Sequence, residues 1–197
     1  MSATGSPRAS VTWRDRPDAV GRRFTAAGLL LGVGLGGFVD GIVLHQILQW
    51  HHMLTDYGGH SSFPATTVDS LTENTLWDGL FHAAAWVFVV AGLLMLWQAT
   101  SAGHRVSWRS VAGLLLAGWG IFNLVEGLVD HHILSIHHVR DDVVDPLWWD
   151  LGFLALSAIL VAAGLTLWRS DRAGRATVTH LTDQDRPDTE SRRHVMG

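Results

Sequence analysis

The chain has 197 residues, 48% of them hydrophobic and 16% charged, with a mean hydropathy of +0.20 and a formal net charge of −4, which is typical of a membrane protein rather than a soluble globule. It has no cysteine, which excludes disulfides, thiolate metal ligands and a cysteine nucleophile. All 14 basic residues are arginine, in short segments that give no support to nucleic-acid binding.

Two apolar segments, each long enough to cross a bilayer, occupy the first half of the chain. Residues 1–23 precede them as a polar tail that we expect to be disordered. The first span, over 24–50, carries glycines at four-residue spacing, which let helix backbones approach closely in lipid. The second span, over 70–98, begins at Ser70, which forms with Glu73 the pattern of a capping box.

The second half of the chain repeats this order after a short basic turn. A third span covers 110–136. Asp145 followed by proline is a good helix start for the fourth span, over 146–168. Residues 169–197 form a second polar tail that we expect to be disordered. The sequence therefore predicts an all-α fold in which residues 24–168 form a four-helix transmembrane bundle.

The distribution of arginine predicts how the protein is oriented in the membrane. Every arginine except Arg140 lies in the two tails or in the central turn. The positive-inside rule therefore places both termini of this multi-pass protein in the cytoplasm and the protein in the cell (inner) membrane. The two remaining connections, which follow paired histidines, then lie at the outer face.

One motif occurs twice along the chain, over 40–52 and over 126–138, and both copies run from an acid and a glycine to a His-His pair. A Trp-Asp motif also recurs, with Asp78 in the second span and Asp150 in the fourth. We interpret the chain as a tandem duplication of a two-helix hairpin, with a pseudo-two-fold axis along the membrane normal. The copies differ at several positions, so a site built from both would be asymmetric.

Acids and histidines inside apolar spans are costly in lipid and therefore indicate a functional site. In regular α-helices, His45, His82 and His131 lie at a similar depth, so we expect their imidazoles to form one layer below the outer surface, with carboxylates above and below. The predicted metal ligands are His45, His82, His131, Asp78, Glu126, Asp130, His52 and His138. The residues expected to support these ligands or to move protons are Asp40, His51, His132, His137 and Asp150.

Helical spacing also limits which groups can share one ion. Asp40 and His51 are eleven residues apart, as are Glu126 and His137, so a single ion cannot reach both members of either pair while the helix is regular. We expect the two acids to lie one to two turns below the histidine layer. The histidines in loops and tails are expected to be solvated, and they are His60, His104, His180 and His194.

Histidine and carboxylate ligands without cysteine suit a transition metal such as iron, zinc or copper(II), in a mono- or dinuclear centre. Facing histidines could instead ligate haem, although the carboxylates argue against it. Two explanations without a metal stay open. One is a proton or ion path along Asp40, Glu126 and Asp130, and the other is structural acid–histidine pairing between helices.

These motifs resemble a family of bacterial integral-membrane proteins catalogued as domain of unknown function 2243. The resemblance rests on Asp-Gly-Ile-x-x-His-Gln over 40–46, Asp-Gly-Leu-Phe-His over 78–82 and Glu-Gly-x-x-Asp-His-His over 126–132, and it covers about residues 24–168. It implies location and topology, and no activity. Some relatives are suspected neighbours of cytochrome oxidase assembly factors, which implies copper handling as one alternative.

Three hypotheses of function follow. The first is a metalloenzyme whose centre near the outer leaflet activates O2 or water. The second is a protein that acquires metal or delivers it to a respiratory oxidase, and the third is a proton or ion conduit. Buried, firmly held ligands favour the first hypothesis, and exposed ligands favour the second. Besides the lipid bilayer, the partners we consider are a second copy of the chain and a respiratory complex.

Overall fold

The computed structural model describes residues 17–55 and 67–184. This part of the chain is helical and has no strand, and four of its helices are long and apolar enough to span a membrane. The prediction of an all-α, four-span protein is thus confirmed. The helices are α1 (Pro17–Val39), α2 (Val68–Ser101), α3 (Trp108–Glu126) and α4 (Leu147–Gln184).

Two of the helices end in a π-helical segment at the same end of the molecule. α1 continues into the first π segment, Asp40–Ile47, and α3 into the second, Gly127–Ile133. The N–H of Leu48 donates to the carbonyl of Val43, five residues back, at 2.8 Å, and the equivalent bond closes the second segment. Such a wide turn brings residues five apart toward one face, whereas an α-helix does so for residues three or four apart.

Both ends of the described chain extend the helices beyond their predicted limits. α1 begins at Pro17, where the missing N–H of proline costs no helical bond, so residues 17–23 are helical where we expected a tail. α4 continues past residue 168 because Asp171 bonds both Arg175 in the next turn and two serines near the start of α3. The rest of the predicted tails, 1–16 and 185–197, lies outside the described residues.

The starts of α2 and α4 show how local side chains set helix boundaries. α2 is capped by Thr67, which exchanges bonds with Ser70 in a capping box, so the helix begins two residues before the predicted start and without Glu73. The prediction missed this cap because Thr67 and Ser70 form a less familiar box. At α4, Asp145 accepts a bond from the N–H of Leu147, as its predicted role as a cap requires.

α1 and α3 pack against each other at the centre of the fold, α2 packs on α1, and α4 packs on α3. The central pair approaches closely where Gly32 faces Gly118, because a Cβ atom on Gly32 would lie 2.8 Å from the Cα of Gly118. Only glycine permits this distance. These two glycines hold equivalent positions in the repeated sequence, so the two halves of the molecule present matching faces to each other.

Candidate metal centre

Buried ionisable side chains gather where α1 and α3 end and where α2 and α4 begin. None of the six at the centre of this group is more than 5% exposed. Removing so many ionisable groups from water is costly unless each is paired or bound to a cation. The six residues are Asp40, His45, His51, Glu126, His131 and His137.

The ligand atoms of these residues form two overlapping sets, and within each set all of them lie within 4.8 Å of one another. Ligands around a tetrahedral ion at about 2.1 Å are about 3.4 Å apart, so each set could close on an ion through movements of roughly an ångström. Glu126 belongs to both sets. The first set is Asp40, His45, His51 and Glu126, and the second is Glu126, His131 and His137.

Two irregularities of the backbone bring residues distant along the helix to one place. In the first π segment, the five-residue spacing sets the Oδ2 atom of Asp40 3.1 Å from the Nε2 atom of His45. Beyond it, Gln49 adopts a left-handed backbone with φ of 50°, as Ser135 does in the second half with φ of 49°. The chain therefore turns back, and the His51 ring lies 4.6 Å from that of His45 between centroids.

Hydrogen bonds to backbone carbonyls fix the tautomers of two of the histidines. The Nδ1 atom of His51 donates to the carbonyl of Val139 at 3.0 Å, and that of His137 donates to the carbonyl of Met53 at 3.3 Å. A carbonyl oxygen can only accept, so Nδ1 carries the proton in both rings. In the neutral imidazole the Nε2 atom then presents a lone pair, which is the form that binds a metal.

Carboxylates lie beside the same ring nitrogen of the other two histidines, with a hydrogen bond at His45 and a longer contact without one at His131. The Nδ1 atom of His45 lies 3.0 Å from Asp78 Oδ1, and that of His131 lies 3.3 Å from Asp150 Oδ1. Among the described residues, the Nε2 atoms of all four histidines lack a hydrogen-bond partner. A second ring nitrogen held by a carboxylate or a carbonyl is the usual arrangement of metal-binding histidines.

Of the four histidines in the two sets, His51 and His137 lie outside the spans, and both are neutral at physiological pH. Burial lowers the pKa of His51 to about 4, against the opposing effect of the nearby Asp40 carboxylate. Burial, followed by the neighbouring rings of His51 and His45, lowers the pKa of His137 well below its usual value. Both rings can therefore bind a metal ion near pH 7 without first releasing a proton.

Two buried carboxylates face each other inside the group. Asp40 and Glu126 have oxygens within 4.8 Å of each other. In the described part of the chain, neither Asp40 oxygen has a hydrogen-bond partner, because His45 Nε2 is close but not aligned, and the Oε2 atom of Glu126 has none either. Two negative groups repel at this distance in apolar surroundings unless a cation or a proton lies between them.

Asp78 and Asp150 join each connecting loop to the helix that follows it. Asp78 accepts bonds from His52 Nδ1 at 2.7 Å and from the N–H of Met53 at 3.0 Å. Asp150 accepts from His138 Nδ1 at 2.7 Å and from one backbone N–H at 2.9 Å. Similar contacts therefore occur in both halves: each acid bonds one histidine nearer the surface and lies beside one buried ligand.

The structure brings together four histidines, and they are not the three of the predicted layer. His45 and His131 lie in the converging sets. His82 does not, because its Nδ1 atom donates to the carbonyl of Asp78 in its own helix at 2.7 Å. Its place beside the two acids is taken by His51 and His137, which turn back from the loops.

Other predicted site residues also change roles in the structure. Of the predicted ligands, Glu126 lies in both sets, whereas Asp78, His52 and His138 lie one contact further out and Asp130 is half-buried outside the sets. Of the predicted supporting residues, three lie in the sets, Asp150 orients two histidines and His132 is exposed. Those three are Asp40, His51 and His137. The side chains of His60, His180 and His194 lie outside those described.

A family model described as a predicted membrane protein matches residues 27–171, a range that includes every residue of the candidate centre. No curated protein and no solved structure matches the chain.

Proposed function

The chain belongs to the predicted membrane protein family DUF2243, and we propose that it is a metalloprotein whose histidine and carboxylate centre holds two transition-metal ions near the outer membrane face. One observation carries this proposal: six buried side chains converge, and most of their inward-facing ligand atoms have no partner among the described residues. Because Glu126 belongs to both sets of ligands, its carboxylate is suited to bridge the two ions.

The donor atoms support particular metals. Four imidazole nitrogens and two carboxylates, without sulfur, suit iron, zinc or copper(II). Haem fits this group of side chains poorly, because the His51 and His137 rings stack 4.6 Å apart and the His131 ring lies 4.9 Å from that of His137. No slot between these rings is wide enough for a porphyrin, so we favour a non-haem centre.

The burial and hydrogen bonding of the ligand rings favour a metal that stays bound as the cofactor of an enzyme over a metal that is exchanged as cargo. Each ligand ring is buried, and three of the four are held by a hydrogen bond at Nδ1, which leaves little freedom to release an ion. When bound, the ions would supply Lewis acidity and the activation of water or O2. The chain itself would orient the rings, hold a proton on Nδ1 of His51 and His137, and exclude bulk water.

An apolar cleft beside the centre supports an apolar or lipid-like substrate. The cleft has a volume of about 490 Å³, and the ring of Phe153, in its wall, lies 5.5 Å from that of His131. Gly152, which also lines the cleft, has open space around it, whereas the equivalent position in the first half holds Leu80. The cleft lining is Val139, Trp148, Trp149, Gly152, Phe153 and Leu156.

The proposed location is the cell (inner) membrane, with both termini in the cytoplasm and the metal centre at the outer end. The arginine distribution supports this orientation. Arg140, the exception, lies beside the rings of Trp50 and Trp149, at 4.9 and 4.8 Å from their centroids, and so links the two halves at the outer end.

Metal delivery is the second candidate function. His52 and His138 are 13% and 30% exposed, and each shares a carboxylate with a buried ligand, so they could capture an ion and pass it inward. Copper for a respiratory oxidase would be the cargo in that case. The conduit hypothesis lacks comparable support, because the buried ionisable groups described within the spans cluster at one end.

Elemental analysis of detergent-purified protein tests the proposal directly. We expect about two transition-metal ions per chain, roughly one after His51→Ala or after His137→Ala, and a loss affecting both ions after Glu126→Gln. His82→Ala is the matched control and should keep both ions. Full metal content in the His51 and Glu126 variants, or metal lost only in the His82 variant, would refute the centre described here.

The rate of metal release separates the two candidate functions. A resident cofactor should resist a chelator for hours and survive purification, whereas a cargo should pass to a chelator or an acceptor protein within minutes. The optical and paramagnetic-resonance spectra of the loaded protein then identify the metal.

A further inference from the structure

A cavity of about 710 Å³ lies at the opposite end of the molecule from the metal centre. It is lined by the start of α1, the turn before α3 and the end of α4. One wall is apolar and includes Phe24, Leu29 and Trp168, and the arginines that line the cavity are Arg22, Arg172 and Arg175. This combination of an apolar wall and a basic rim suits an amphipathic anion.

The arginines differ in how firmly the protein already holds them. Arg175 bonds Asp171, the hydroxyl of Ser110 and a backbone carbonyl, so it stiffens the cavity wall. Arg172 lies over the ring of Trp168, 5.0 Å from its centroid. Within the described residues, neither Arg172 nor Arg22 has a carboxylate within 4.0 Å, although the exposed Asp18 also lines the rim.

The cavity lies where a membrane lipid could enter it. Both α1 and α4 line the cavity, yet no Cα atom of α1 lies within 8 Å of one in α4. The cavity therefore lies between these two helices, beside α3. The basic turn before α3, the start of α1 and the end of α4 lie at this end of the helices, which is the cytoplasmic end in the proposed orientation. Basic pockets between spans on this side suit anionic lipid headgroups.

The equivalent positions in the other half of the repeat lack these charges. The positions that correspond to Arg22, Arg172 and Arg175 hold an indole, a hydroxyl and a glycine. The basic lining is therefore a property of one groove and not of the repeated framework. Those equivalent residues are Trp108, Thr100 and Gly103.

We propose that this cavity binds an anionic phospholipid of the cytoplasmic leaflet. The headgroup phosphate lies between Arg22 and Arg172, and an acyl chain follows the apolar wall formed by Phe24, Leu29 and Trp168. A soluble phosphate shares the headgroup chemistry but gains nothing from that wall, so the two ligands can be told apart.

Native mass spectrometry of the full chain in detergent tests the site with phosphatidylglycerol, phosphatidylcholine and inorganic phosphate as separate probes. We expect phosphatidylglycerol to bind as one tight equivalent and phosphatidylcholine to bind much more weakly. The double variant R22Q/R172Q should weaken phosphatidylglycerol binding about 25-fold, roughly fivefold for each arginine near an anionic headgroup. A matched control, R105Q/R109Q, removes the same charge at the same end outside the cavity lining and should bind normally.

Three results would overturn the proposal. They are equal binding of the two lipids, equal losses in both double variants, and displacement of phosphatidylglycerol by millimolar inorganic phosphate. A mild variant, Ala26→Leu, narrows the cavity without changing charge and should also weaken lipid binding. Metal content should stay unchanged in all of these variants, so failure here is distinguishable from failure of the proposed metal centre.

Discussion

Asp78 and Asp150 show how single side chains orient a centre that they do not enter. Each is almost fully buried, each lies beside the Nδ1 atom of one ligand ring, and each also accepts a loop N–H. A carboxylate in this position makes the ring a better ligand and keeps it pointing inward. Loss of the negative charge should therefore weaken metal binding while all of the ligands are still present.

We predict that Asp78→Asn weakens metal binding about 10- to 100-fold, the range found when partners of metal-ligating histidines are removed. Competition with a chelator of known affinity measures the effect. Asp142→Asn is the control, because Asp142 pairs with Arg140 at the surface of the same end and touches no ligand. Equal affinities for the Asp78 variant and the unmodified protein would show that Asp78 is only a structural contact.

The two π segments bring together an acid and a histidine that a regular α-helix would place on different faces. Acid and histidine five residues apart lie on different faces of an α-helix, and histidines eleven residues beyond the acid lie roughly 16 Å further along its axis. The π turn corrects the first spacing, and the left-handed residue after it corrects the second by reversing the chain. Both π segments and left-handed residues cost backbone stability. They are therefore found mainly at functional sites, where the surrounding structure holds them in place.

Ser135 is exposed and has a φ of 49°, so its substitutions test the backbone alone. Ser135→Gly should keep full metal content and be neutral or stabilising by up to about 1 kcal/mol, because glycine accepts a positive φ without strain. Ser135→Val should destabilise by roughly 1–2 kcal/mol and reduce occupancy of the set that contains His137. Thermal unfolding and elemental analysis measure both effects.

Leu134→Val is the control for the Ser135 pair, since Leu134 is exposed with a φ of −89° that a β-branched residue tolerates. A loss of metal in this control as large as in Ser135→Val would show that the left-handed turn is not what positions His137.

The whole molecule depends on the contact between its two central helices, because the first set of ligands combines three residues from α1 and its continuation with Glu126 from α3. Gly32 and Gly118 let these backbones meet, and α2 and α4 only flank the pair. In lipid, where apolar side chains gain nothing by leaving water, such close packing is a main source of helix association. Any side chain at this seam should therefore separate both halves of the metal centre.

We predict that Gly118→Ala destabilises the protein by roughly 1–3 kcal/mol through overpacking, because its methyl group would meet backbone atoms of α1. Gly79→Ala is the control, since a Cβ atom there meets nothing within 4 Å, and it should change stability by no more than about 1 kcal/mol. Thermal unfolding in detergent compares them. Similar melting temperatures for the two variants would show that the glycine contact is not limiting.

The fold was largely predictable because it depends on features that act along the chain. Four long apolar segments must cross a bilayer as helices, since lipid offers no partner for an open backbone. The presence of a site was predictable for a related reason, because acids and histidines in those segments demand compensation. These arguments need only composition, length and repetition, and they hold wherever the helices pack.

Which residues form the metal centre depended on the path of the backbone in space. Regular α-helical geometry predicted His82 as a ligand and placed Asp40 below the histidine layer. The π segments and the turns at Gln49 and Ser135 instead bring His51 and His137 close to the buried acids. No local sequence pattern predicts the π segments or the left-handed turns. The contacts that offset their cost in backbone stability lie between halves that are distant in sequence. Only the packed helices show which nitrogens and oxygens meet.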